Sequence, residues 1–183
     1  MSGIIQKCRE HFIKTFKSDP EPLYLTAIEH INKVEAWAME IAKDYPEVDL
    51  EVLLCSVWLH DIGFFTEQKF EDHAIGSEVE ARRFLGLNQM EDRKIDRIAH
   101  CVRTHRCRDI LPESIEAKIL AVADSASHFN DVIYADMLAR GLKKEVNEKI
   151  ERDYRDIELL PGVKPKVRKL YNAWKILISI WGE

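Results

Sequence analysis

The chain has 183 residues, enough for one domain with a sizeable core, and its 46% apolar and 32% charged composition is that of an ordinary globular protein. A net charge of −5 does not suit a protein built to coat nucleic acid, and the apolar stretch near the C-terminus, LISIW at 177–181, is far too short to span a bilayer. Residues 1–18 scatter Lys7, Arg9, Lys14 and Lys17 among apolar residues instead of forming an apolar block before a cleavage site, and Cys8, Cys55, Cys101 and Cys107 lack CxxC spacing, so the expectation is a cytoplasmic protein with reduced thiols.

Apolar residues recur at three- and four-residue steps and strand-like alternation is nearly absent, which predicts helices throughout. A first helix covers about 3–17 and ends at Ser18-Asp19-Pro20. A second runs from about 22 to 44 with Ile28, Ile31, Val34, Ala38 and Ile41 on one stripe, and Pro46 follows it. Asp49 is the expected N-cap of a third, which runs to about Asp61. That helix is apolar nearly all round (Val52, Leu53, Leu54, Val57, Trp58, Leu59) and should be central and buried, with Cys55 in the core. Gly63 breaks it. Asp72 caps a helix over 73–85 that Gly86 stops, and another spans about 90–105. Pro112 opens a helix across 113–128, with helix continuing to Arg140 before Gly141 interrupts. A charged helix over 143–159, a turn at Pro161-Gly162 and a last helix over about 164–181 complete the chain. The stripe Leu170, Trp174, Leu177, Ile178 and Trp181 reads as core, with a homodimer contact or a membrane-surface contact as the alternatives. The reading is all-α, one domain.

The pair His60-Asp61, in VWLHDIGFF at 57–65, ends the most apolar helix. Titratable groups are buried only when paired or metal-bound, and imidazole with carboxylate suits Mn, Fe, Zn or Mg. By itself the pair also fits a helix-capping arrangement. His30 borders the apolar stripe of its helix, where a histidine is usually just hydrogen-bonded. Asp124, in ILAVADSASHF at 119–129, directly follows an apolar run and otherwise reads as a salt bridge or a cap.

Taken in order, His30, His60-Asp61 and Asp124 resemble the His, His-Asp, Asp pattern of the HD superfamily of metal-dependent phosphohydrolases, over roughly residues 25–135; the segment AIEHINKVEAWAMEIA at 27–42 also fits. The resemblance implies a helical HD-domain bundle, with a metal-binding core at about 25–135 and the helices of 143–181 packed on it. It implies that His30, His60, Asp61 and Asp124 converge on one divalent cation (Mn, Mg, Fe, Zn, Co or Ni). His73 and His105 lie in segments where several subfamilies place further histidines, for a second metal or for the substrate phosphate. Asp61 would bridge two ions or take the proton of the attacking water. His100 is a rotation of about 140° from His105 on helix geometry and should point elsewhere. His11 and His128 read as surface or packing residues, His128 with a minor claim to the pocket rim. No Gly-Tyr-Pro signature is present, and Glu71-Asp72 stands too close to Asp61 to match the Glu-Asp pair of the alarmone hydrolases.

Residues 81–108 carry eight Arg or Lys against three acids, a window of +5 in a chain of −5. Basic charge beside a metal favours a small anionic phosphorylated substrate, and Arg103 and Arg106, which flank His105, are the expected phosphate contacts; the alternative is a solvated basic face. The expected function is hydrolysis of a nucleotide or a related phosphoester or phosphoanhydride. Two alternatives follow from the same resemblance: an HD-type di-iron oxygenase that oxidises a C–H bond, and a non-catalytic nucleotide-binding regulatory module.

Overall fold

The structure is a computed structural model and describes residues 3–19 and 26–181. Among them are nine α-helices and no strand: α1 (Gly3–Ser18), α2 (Ala27–Ala42), α3 (Leu50–Leu59), α4 (His73–Leu87), α5 (Asp92–Thr104), α6 (Ile115–Ser127), α7 (Ile133–Ala139), α8 (Lys143–Asp156) and α9 (Lys164–Ile180). Short 3-10 turns occupy Ile62–Phe64, His128–Asn130, Ile157–Leu159 and Pro161–Val163.

The apolar periodicity of α3 decides the arrangement. All residues from Val52 to Leu59 are buried, so the helix needs neighbours on every side, and α1, α2, α5 and α6 supply them. Each large apolar side chain removed from water contributes about 1.5–3 kcal/mol. Asp49 caps α3 as expected, its carboxylate accepting from the N–H groups of Glu51 and Val52 at 3.1 and 3.2 Å. The same carboxylate binds Arg97 of α5, which also binds Glu116 of α6, while Glu116 accepts from the Asp49 backbone N–H at 3.0 Å. One ionic clasp therefore fixes the starts of α3 and α6 against α5. Beyond this core, α8 packs on α6, and α9 packs on α8.

Several helix ends differ from expectation. The second helix begins at Ala27; the earlier start at 22 lies outside the described residues. Gly86 does not stop α4, which continues to Leu87; the left-handed turn falls instead at Gln89, φ 58°. Pro112 does not open α6, whose N-cap is Ser114, its hydroxyl accepting from Ala117 N–H at 3.2 Å. Helix does not continue to Arg140: the chain turns at 128–130 and Asp131 is extended, because its carboxylate binds the Val132 N–H and His30 in place of a helical partner. The apolar stripe of α9 is only partly core. Ile178 is buried and Trp174 is half-buried, donating to the Phe129 carbonyl at 3.0 Å, while Leu170 and Trp181 are exposed.

The turn after α3 comes very close to α4. Gly63 N–H donates to Ser77 Oγ at 2.8 Å, and a Cβ at Gly63 would lie 2.3 Å from the His73 carbonyl oxygen and 2.6 Å from Ser77 N. Gly63→Ala should therefore force α3 and α4 apart and destabilise the fold by about 3 kcal/mol, a fall in melting temperature of roughly 6–12 °C. Thermal unfolding of the metal-free chain checks this; an unchanged midpoint would refute the close approach.

Candidate metal centre

The helix ends converge. His60 is the C-cap residue of α3 and Asp61 follows it; His73 opens α4, His105 is the C-cap of α5, His30 lies in the first turn of α2 and Asp124 in the last turns of α6. All six expected donors meet in one cluster. Asp61 divides its carboxylate between two groups. Oδ2 lies 3.5 Å from His60 Nε2 and 3.7 Å from His30 Nε2; Oδ1 lies 3.1 Å from His73 Nε2 and 3.6 Å from His105 Nε2. Asp124 Oδ1 joins the first group at 3.2 Å from His30 Nε2 and 3.8 Å from His60 Nε2. In the second group the Nε2 atoms of His73 and His105 are 3.2 Å apart.

Local structure fixes which nitrogen faces the site. His60 Nδ1 donates to the Val57 carbonyl at 2.8 Å and His105 Nδ1 to the Val102 carbonyl at 2.7 Å. A carbonyl only accepts, so the hydrogen is on Nδ1 and the Nε2 lone pair is left for the centre. The same bonds satisfy helix-end carbonyls. His30 Nδ1 donates to Asp131 Oδ2 at 3.1 Å, the carboxylate support typical of a metal-bound imidazole. His60 Nε2 is fully buried and has no hydrogen-bond partner. An orphaned acceptor beside the carboxylates of Asp61 and Asp124 is what a divalent cation would complete, and donors bound at about 2.1 Å to one ion stand about 3–4 Å apart, as here. The groups His30, His60, Asp124 and His60, Asp61, His105 each have the compactness of a metal site.

The charges are strongly coupled. Burial pushes the Asp61 carboxyl up, but His60, His73 and His105 outweigh it and hold it well below the usual range. Asp124 is likewise held well below, against burial, by His128, His30 and His60. Burial disfavours the His30 cation, yet Asp124 and Asp131 raise its pKa to about 10. His105, deprived of water and facing His60 and His73, falls to about 3. Solvent reaches the cluster mainly at His73 and Asp124, with side chains 15% and 14% exposed.

The HD domain family matches residues 27–127, more than half of the chain. The chain belongs to the HD-domain family. Its members are generally metal-dependent hydrolases. Neither the curated proteins nor the solved structures include a significant match to it.

Around this HD core the other expected residues fall in different places. Arg106 stands at the rim, paired with Asp72, whose Oδ1 is 4.0 Å from His73 Nδ1. Arg103 binds Asp109 and approaches Glu78, and among the described residues no hydrogen bond or ion pair joins it to the cluster. His100 accepts from the Glu113 N–H, and His11 stacks on Phe84 and binds Glu80, both outside the site as expected. His128 is no surface residue: it is buried, with Nε2 3.4 Å from Asp124 Oδ1. Asp131, behind His30, and Asp153, behind His128, are not apparent from the family pattern. An aspartate at the helix stop beyond Asp124 was the only sequence feature that pointed to the first, and an apolar-register position in α8 (Val146, Ile150, Asp153) to the second.

The His30 shift has a definite sign. Its protonated form stabilises the metal-free fold in full below about pH 6.5, and that contribution is lost as pH rises through about 10. His105 acts oppositely, its neutral form favouring the fold above about 6.5 and that contribution being lost as pH falls toward about 3. A divalent cation must displace the His30 proton. Metal affinity should therefore rise between about pH 6 and about pH 8, by up to tenfold per unit for each proton released. Calorimetric titration of the metal-stripped chain in buffers of different ionisation enthalpy counts those protons; affinity independent of pH would contradict the proposed competition.

Proposed function

We propose that the protein is a metal-dependent phosphohydrolase acting on a small phosphorylated substrate, a nucleotide or a related phosphoester or phosphoanhydride. The observation that carries this reading is the shared Asp61: one oxygen faces His30 and His60 beside Asp124, the other faces His73 and His105. This arrangement suits two cations, the first held by His30, His60, Asp61 and Asp124, the second by Asp61, His73 and His105. Divalent cations so placed supply Lewis acidity toward a phosphoryl oxygen and a bound water of lowered pKa.

The protein's own groups do the rest. Asp61 orients both halves of the centre and stands next to the position from which a water would attack. His73, the most exposed of the imidazoles, lies where the substrate phosphate would arrive. Arg106 lines the same rim. Burial, with the charges of Arg106 and Arg152, lowers the Arg108 pKa, and the positive charge collected there favours an anion. A cytoplasmic location and action on a free small molecule fit the composition.

One observation favours a second reading. His73, His105 and Asp61 form a two-histidine, one-carboxylate set, as do His30, His60 and Asp124, and such sets hold non-haem iron in oxygenases. A regulatory module that binds nucleotide without turnover has less support, since none of the six donors is missing.

Elemental analysis of the as-purified protein should give two divalent ions per chain, with turnover of p-nitrophenyl phosphate or a nucleotide in Mn²⁺ or Mg²⁺. Asp61→Ala should lower that turnover to background and reduce the bound metal. Two spectroscopically coupled irons with no phosphatase activity would replace this reading with the oxygenase.

A further inference from the structure

His128 lies one helical turn beyond Asp124, at the C-cap of α6 and just past the family-matched segment. Its Nε2 is 3.4 Å from Asp124 Oδ1, and its ring stacks on that of His30 with centroids 5.2 Å apart and planes 7° from parallel. The opposite edge is held firmly. Nδ1 is 3.0 Å from Asp153 Oδ2 and 3.1 Å from Lys149 Nζ. Asp153, itself buried, accepts from Tyr134 Oη at 2.6 Å and pairs with Lys149 at 3.0 Å. A histidine that merely fills space has no need of a buried carboxylate, a tyrosine hydroxyl and an ammonium gathered behind it, since each of those groups is costly to desolvate. The ring is thus held from behind with its Nε2 edge set against the Asp124 carboxylate.

We propose that His128, held by Asp153, is a positioning residue of the metal centre that fixes the Asp124 carboxylate, so that α8 completes a site whose ligands lie in the HD core. The arrangement repeats that of His30, where Asp131 stands behind the ring. Carboxylates one step removed from a metal commonly change its affinity 10–100-fold when lost. The proposal rests on the reading of Asp124 as a ligand of the first cation.

The test is titration of the full-length, chelator-stripped chain with Mn²⁺ alone, free Mn²⁺ being counted by electron paramagnetic resonance. His128→Ala should weaken the tighter site by about 10–100-fold without changing the number of ions bound. His128→Gln keeps a side-chain N–H and should recover most of that loss, and Asp153→Asn should fall between. Far-UV circular dichroism and the metal-free melting temperature establish that each variant is folded, and the Gln and Asn variants carry the comparison if the Ala variant is not. Wild-type affinity in His128→Ala would overturn the proposal, and so would a Gln variant no better than Ala, which would make the residue a direct ligand or plain packing. Failure of the underlying reading is separable: the wild type would then bind no Mn²⁺, or Asp124→Ala would bind it undiminished, and the proposal would fall with it.

Discussion

Two carboxylates in a water-poor interior are the constraint from which the rest of this structure follows. Asp61 and Asp124 cannot stay ionised there unless positive charge or donated hydrogens surround them. Neighbouring imidazoles, His60 foremost at Asp61 and His128 at Asp124, hold both carboxyls well below the usual range, and divalent cations at the centre would stabilise them further. The apolar helix α3 makes the demand severe: by filling the interior with side chains that screen nothing, it strengthens each interaction at its own C-terminal end. The hydrophobic core and the charged centre are thus one design problem.

Helix ends solve it. A helix terminus brings a backbone with unsatisfied groups and a side chain that can aim along the axis, and His60, Asp61, His73 and His105 all occupy such positions. The approach of the Gly63 turn to α4 brings His73 to the far oxygen of Asp61. The clasp of Asp49, Arg97 and Glu116 holds the opposite ends of α3 and α6, so the two helices that carry His60 and Asp124 meet in a fixed register.

Much of this was legible in the chain. His30, His60-Asp61 and Asp124 stand out in apolar surroundings, and the family resemblance adds His73 and His105; the fold gathers these six residues in one cluster. What composition could not supply was neighbours distant in sequence. His128 looked like packing because its partner Asp153 lies in a helix that reads as uniformly charged until its register against α6 is known. The basic window at 81–108 offers Arg103 and Arg106 to a phosphate, yet the acids that engage them, Asp109 and Asp72, both lie outside that window. The break at Asp131 depends on a long-range partner, His30, that local propensity does not contain, whereas the turn at Gln89 is closed locally by the Met90 N–H on the Leu85 carbonyl. The exposed edge of α9 shows the same limit: an apolar stripe states what a helix could bury, and the neighbours decide how much it does.

The caps formed by His60 and His105 have one further consequence. Each uses a single N–H both to close the last turn of its helix and to aim the opposite ring nitrogen at the centre. Fraying of that turn and departure of that nitrogen are consequently the same motion. A cation bound at the centre would be felt as slowed amide exchange along the ends of α3 and α5, and a chain stripped of it would loosen first at those two helix ends, while the apolar middle of α3 stayed closed.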